Sequence, residues 1–81
     1  MSEERLKFLG RRGELEIKKK SLELRIEALV NGMREELDPF KACADLRPDL
    51  IVSMGLELAE ACDRHREAAA EIKKIQDLLG R

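Results

Sequence analysis

The sequence predicts an all-α protein, an antiparallel two-helix hairpin with coiled-coil-like packing and a short helical connector. Each half of the chain carries a seven-residue apolar repeat with companion positions three or four residues away, which is typical of helices packed lengthwise. Charged residues make up 41% and aromatic residues 2% of the chain, as in long helices rather than sheets. Pro39 and Pro48 separate the two halves. We therefore expect a single helical-hairpin domain over residues 1–81.

Helix 1 is predicted at about residues 2–37. Ser2 suits the N-cap position, and the two glutamates after it place negative charge in the first turn, where the helix dipole favours it. Gly10 and Gly13 each cost a helix interior about 1 kcal/mol relative to alanine, yet the repeat continues past them, so we expect an unbroken helix. The packing positions of helix 1 are Phe8, Leu15, Leu22, Leu29, Ile26, Met33 and Phe40.

The connector is predicted at residues 38–47. A residue before proline is pushed away from helical angles, so helix 1 should stop near Asp38. Proline suits the first position of a helix, and residues 39–45 are therefore expected to form one short helical turn that restarts at Pro39. The apolar connector residues are expected to cover the end of the bundle, or alternatively to contact a partner; they are Phe40, Cys43 and Leu46.

Helix 2 is predicted at about residues 48–79, with Pro48 as its start signal and Gly80 as its C-terminal stop. Its repeat is the most regular in the chain, and His65 is its only polar member. The repeat comprises Ile51, Met54, Leu58, Ala61, His65, Ala68, Ile72, Ile75 and Leu79. We use the term seam for these positions together with Leu15, Leu22, Ile26, Leu29 and Met33 of helix 1.

Aligning the two repeats predicts an antiparallel register in which the numbers of facing residues sum to 87. Phe8 then lies opposite Leu79, and Leu22 lies opposite His65. Several bulky residues of helix 1 face alanines of helix 2, which suits interdigitating side chains.

More apolar surface is present than one seam uses. The residues off the seam are Ile17, Leu24, Ala28, Val30 and Leu37 on helix 1, and Val52, Leu56, Ala59, Cys62 and Ala69 on helix 2. Such a wide apolar arc is typical of a helix in a bundle, and the small residues of helix 2 allow close approach. We therefore expect two hairpins to form a homodimeric four-helix bundle. A monomer with scattered exposed apolar residues is the alternative.

His65 and Cys62 are the candidates for chemistry, and we expect neither to be catalytic or metal-binding. A polar seam residue often sets register, and Glu23 or Asp63 is within reach of the imidazole. The alternatives are a pH response of the histidine and a zinc site that two copies of the Cys62–His65 pair would build. Cys43 lies far away in the connector. Free cysteines usually act as small buried apolar groups, so we predict no cofactor and no metal.

The basic runs Arg11–Arg12 and Lys18–Lys20 raise nucleic-acid binding as an alternative function. Three consecutive lysines spread around a helix, glutamates intervene and no aromatic residue accompanies the lysine run for base stacking, so we expect a solvated face instead. The sequence contains no phosphate loop and no metalloprotease or paired-cysteine motif, and we expect no enzymatic activity.

The leading functional hypothesis is a structural or protein-interaction module that self-associates through helix packing. A net charge of −1 provides no field that would attract a nucleic acid or an anionic membrane. No long apolar stretch and no apolar leader is evident, and two cysteines do not make a disulfide framework, so the expected setting is the cytoplasm. The alternative is a small regulator whose basic N-terminal half binds either nucleic acid or a partner enzyme that acts on nucleic acid.

Overall fold

The computed structural model describes residues 2–80 and confirms the helical hairpin. Helix α1 spans Glu3–Glu36 and helix α2 spans Pro48–Leu79, with a single 3₁₀ turn at Cys43–Asp45 between them. The two long helices pack against each other in opposite directions and form a rod of 63 × 15 × 14 Å. The connector closes one end of the rod, and the other end, where α1 begins and α2 ends, is called the open end below.

Local capping explains where α1 begins. The hydroxyl oxygen of Ser2 accepts a hydrogen bond from the backbone N–H of Arg5 at 3.2 Å, as expected of an N-cap serine. The helix then continues through Gly10 and Gly13 without a break. A Cβ atom at either glycine would meet nothing within 4 Å, so close packing does not require a glycine at these positions.

The predicted helical restart at Pro39 is wrong. Asp38, Pro39, Phe40 and Lys41 instead form a β-turn in which the carbonyl of Asp38 accepts the N–H of Lys41 at 3.1 Å. The side chain of Asp38 also accepts the N–H of Phe40 at 3.0 Å. Aspartate followed by proline is favoured in the first two positions of such a turn, so local chemistry supports this alternative equally well. Ala42 is extended, and the short helical turn begins only at Cys43.

Phe40 does not occupy the seam and does not cover the end of the hairpin. Its side chain is 94% exposed, Cys43 is exposed and Leu46 is 42% exposed, so the expected capping role is wrong for this chain. The reason is that α1 ends before Phe40, and the helical periodicity that would bring the ring to the seam ends with it. The position seven residues after Leu29, where the repeat of α1 would next place an apolar residue, belongs to Glu36, which is buried.

Helix α2 starts with Pro48 in the first turn, where a missing N–H is harmless. At its end, the N–H of Gly80 donates to the carbonyl of Gln76 at 2.9 Å. Gly80 has φ −76° and therefore remains in the right-handed region. The helix stops there without the left-handed glycine conformation that often closes a helix.

The seam contains the core of the hairpin. Its buried residues are Leu15, Leu22, Leu29, Ala61, Ala68, Ile72 and Ile75. The half-buried ones are Ile26, Met33, Ile51, Met54, Leu58, His65 and Leu79. Leu15 and Ile72 belong to one cluster, against which Phe8 and Leu79 pack, so these four residues lie together as the register summing to 87 requires. Burying a leucine side chain contributes about 1.5–3 kcal/mol, so this cluster is a main source of stability.

Near the connector, two methionines cross between the helices at glycines. A Cβ placed on Gly55 of α2 would lie 3.9 Å from the terminal methyl of Met33 on α1. A Cβ placed on Gly32 would overlap the terminal methyl of Met54. The missing side chains therefore make room for flexible methionines in this part of the seam.

Candidate interaction surfaces

Cross-helix ion pairs follow one flank of the hairpin. Arg11 donates to the carboxylate of Glu71 at 3.1 Å, and Arg25 lies 3.6 Å from Glu57. The two residues on α2 immediately precede seam positions Ile72 and Leu58, which places them on the same side of that helix. We call this side the charged flank.

The opposite side of α2 carries an apolar stripe, defined as Val52, Leu56, Ala59, Cys62 and Ala69. The spacing of these residues follows helical periodicity, so they lie along one side of the helix. Val52 is 62% exposed and Leu56 is 70% exposed, whereas Cys62 and Ala69 are half-buried. The stripe therefore combines protruding apolar side chains at one end with small residues further along.

The off-seam apolar residues of α1 are also uncovered. Ile17 is 74% exposed, Leu24 is 62% exposed and Leu37 is 55% exposed. Ala28 is exposed and Val30 is half-buried. The hairpin thus leaves large aliphatic side chains in solvent on both helices.

His65 contacts Glu23, one of the two acids expected near it. Its Nε2 lies 3.5 Å from a carboxylate oxygen of Glu23, but the contact does not have the geometry of a hydrogen bond. The Nε2 atom is buried and has no hydrogen-bond partner among residues 2–80. Asp63, the other candidate, instead pairs with Arg66 at 3.4 Å.

Cys62 is half-buried beside the seam, and Cys43 is exposed in the connector, both as free thiols. Within the described part of the chain, no three histidine, cysteine, aspartate or glutamate residues are arranged to hold a metal ion. The zinc hypothesis therefore depends on a second copy that would contribute another Cys62–His65 pair.

The residues of the two basic runs of α1 differ in their ion pairs and in their exposure. Arg11 bonds to Glu71, and this hydrogen bond together with the glutamate charge raises the pKa of the guanidinium. Lys18 and Lys20 are exposed, whereas Lys19, a companion position of the repeat, is half-buried. The basic side chains therefore differ in their exposure and in their partners, and nucleic-acid binding stays a hypothesis without a specific contact in its support.

The connector is held by a cluster that the sequence did not suggest. Glu36 is 7% exposed, and its carboxylate accepts hydrogen bonds from Lys41 Nζ at 3.2 Å and from Arg47 Nε at 3.1 Å. A second nitrogen of Arg47 pairs with the other carboxylate oxygen, so the contact is bidentate. We call these three residues the clasp. The available signal was the position of Glu36, seven residues after Leu29 in the repeat.

The clasp determines the charge state of its carboxylate. The hydrogen bond from Arg47 lowers the pKa of Glu36, partial burial opposes this, and the hydrogen bond from Lys41 lowers it further. The same glutamate raises the pKa of Arg47. The glutamate and the arginine therefore stay ionised as a pair, and the hydrogen bonds of the clasp tie the connector to the end of α1.

A groove lies between the helices at the open end and has a volume of about 600 Å³. Its floor and walls are apolar, formed by Phe8, Ala70, Ile75 and Leu78. Charged residues of both signs form its rim, and they are Arg11, Glu67, Glu71 and Lys74. The groove is open to solvent and suits a protruding apolar side chain better than an enclosed small molecule.

No protein family, no curated protein and no solved structure matches this chain. Over the described residues, neither helix contains a segment with the length and hydropathy needed to cross a membrane.

Proposed function

We propose that this protein is a non-enzymatic structural and protein-interaction module that self-associates through helix packing. Two hairpins pair through their apolar stripes and form a homodimeric four-helix bundle. The observation that carries the proposal is the exposure of large aliphatic residues off the seam, such as Leu56 at 70% and Ile17 at 74%. Several large aliphatic side chains left exposed on a small helical protein are a feature of surfaces that bind another protein.

The shape of the stripe supports helix-to-helix contact. Small residues at Ala59, Cys62 and Ala69 let another helix approach closely, while Val52 and Leu56 provide side chains that insert between its residues. The charged flank lies on the other side of α2, where its ion pairs remain in solvent. We therefore expect hairpins to associate through the side of α2 that carries the apolar stripe.

The size of the hairpin is also suitable. A rod 63 Å long and about 15 Å wide offers enough area on one side for the ~800 Å² per partner of a standard interface. A lone hairpin buries only one stripe of each helix, and chains of about 80 residues often depend on a partner subunit for stability. Dimerisation would remove the exposed stripe from water.

Sedimentation equilibrium tests the proposal. At micromolar concentration, wild-type protein should have the mass of two chains, and Leu56→Lys should shift the equilibrium toward one chain because a charge in an apolar interface loses its hydration. Ser53→Lys is the matched control, since Ser53 is exposed on α2 outside the stripe and should leave the mass unchanged. Circular dichroism verifies that both variants are helical. A wild-type mass of one chain throughout the concentration range, or equal effects of the two variants, would refute the proposal.

A further inference from the structure

We propose that hairpins also join end to end, with Phe40 of one copy seated in the open-end groove of the next copy. This contact uses surfaces outside the apolar stripe, so it goes beyond the lateral dimer and does not depend on it. The two ends of one rod complement each other: one carries an exposed aromatic ring and the other a groove with an apolar floor.

The connector presents Phe40 in a defined position. Its side chain is 94% exposed, but its backbone N–H is bound by Asp38 at 3.0 Å. The next residue, Lys41, is held by Glu36 of the clasp at 3.2 Å. A side chain on such a constrained turn loses less conformational entropy on binding than one on a loose loop. Aromatic residues anchored in pockets are the usual centres of protein interfaces.

The open-end groove has the dimensions and chemistry for this ring. Its volume of about 600 Å³ exceeds the space that one aromatic side chain needs. Phe8 and Ile75 provide apolar contacts at the floor, and Leu78, which is 50% exposed, would be covered by the incoming ring. Aromatic pairs such as Phe40 with Phe8 contribute about 0.5–1.5 kcal/mol beyond the area they bury.

Charge favours the same pairing. Arg11 on the rim is already engaged by Glu71, but Lys74 has no ion pair within residues 2–80. Beside Phe40, the carboxylate of Asp38 likewise has no ion pair in the described part of the chain, while Lys41 is engaged by the clasp. Seating the ring in the groove would bring the Asp38 carboxylate toward the Lys74 ammonium, a favourable interaction at the interface rim.

The occupant must come from another copy, because the ring and the groove lie at opposite ends of a rod 63 Å long. Such a contact joins two different surfaces and leaves one of each free. Further copies can therefore add at either end, and the hairpins form short open chains instead of a closed dimer.

A mixing experiment tests the proposal. All proteins carry Leu56→Lys to remove the lateral contact, and their masses are measured by light scattering at up to about 1 mM, since small interfaces are weak. This background should form concentration-dependent chains of three or more copies. Adding Phe40→Ser, which lacks the ring, or Ala70→Arg, which fills the groove, should weaken association at least tenfold. An equal mixture of these two variants should form dimers. The Ala70→Arg variant keeps the Phe40 ring, which can enter the intact groove of the Phe40→Ser variant.

Leu6→Ser and Ser53→Arg serve as controls, since both positions are exposed and lie outside the ring and the groove. They should associate as the background does. The proposal is overturned if the mixture remains at the mass of one chain, or if Ala70→Arg associates like the background. The second result would show that Phe40 contacts a second Phe40 or another surface. A background that stays at one chain up to the highest concentration would overturn it as well.

Discussion

The carboxylate of Glu36, the last residue of α1, is held by the guanidinium of Arg47, the residue immediately before α2. This pair joins the two ends of the connector, and Lys41 binds the same carboxylate from the middle of the connector. The connector path therefore depends on one buried glutamate at the end of α1. Removal of that carboxylate should affect both stability and the position of Phe40.

The clasp predicts a specific dependence of stability on pH. Because the pKa of Glu36 is lowered on folding, its contribution to stability is present above the unfolded value of 4.5 and is lost as pH falls through the folded pKa. Glu36→Gln should therefore lower the melting temperature at neutral pH, and the difference from wild type should shrink in acid. Thermal melts across this range, with Glu60→Gln as the exposed control, measure the effect. A difference that is constant from neutral to acid pH would contradict the assignment.

Leu15 should be the most sensitive apolar position, because its side chain is only 2% exposed within the cluster that contains Ile72. Leu15→Ala should lower the free energy of unfolding by about 2–5 kcal/mol, the usual cost of such a cavity. Urea denaturation followed by circular dichroism provides the measurement. Leu6→Ala, at a position 54% exposed, should cost much less, and similar losses for both variants would contradict the described core.

Replacing His65 with leucine should stabilise the hairpin. The buried Nε2 lacks a hydrogen-bond partner among residues 2–80, and an unsatisfied buried polar group costs about 1–3 kcal/mol. His65→Leu also matches the apolar character of the seam, so we expect a gain of about 1 kcal/mol in the free energy of unfolding. Chemical denaturation at neutral pH tests this, with His65→Gln retaining a polar group as the control. A loss of stability in the leucine variant would show that the imidazole makes a favourable interaction.

The helix glycines should respond differently to alanine. At Gly10 a Cβ meets nothing within 4 Å, so Gly10→Ala should stabilise α1 by about 0.5–1 kcal/mol through helix propensity. At Gly32 the same change places a Cβ against the methyl of Met54, which must move, and the gain should be smaller or absent. Melting temperatures of the two variants make the comparison. An equal gain at both positions would mean that Met54 moves without cost.

The sequence by itself determined the features that depend on local chemistry and periodicity. The heptad repeat identified the seam, including the cluster of Leu15 and Ile72, because a helix that packs lengthwise must keep one face apolar. Ser2 and Pro48 marked helix starts, since capping and proline geometry act over a few residues. The continuous helix through Gly10 also followed from the repeat.

Only the tertiary structure determined the conformation of the connector and the contacts at the end of the hairpin that it closes. Asp38 and Pro39 suit a helix start and a β-turn equally well, and the turn formed here leaves Phe40 in solvent. The role of Glu36 depends on Lys41 and Arg47 folding back onto it, which requires the path of the connector and not only the repeat. Likewise, the open-end groove exists because Phe8 of one helix lies beside Ile75 and Leu78 of the other. Local signals specify which helices form, whereas contacts between residues distant in sequence determine what the hairpin presents to a partner.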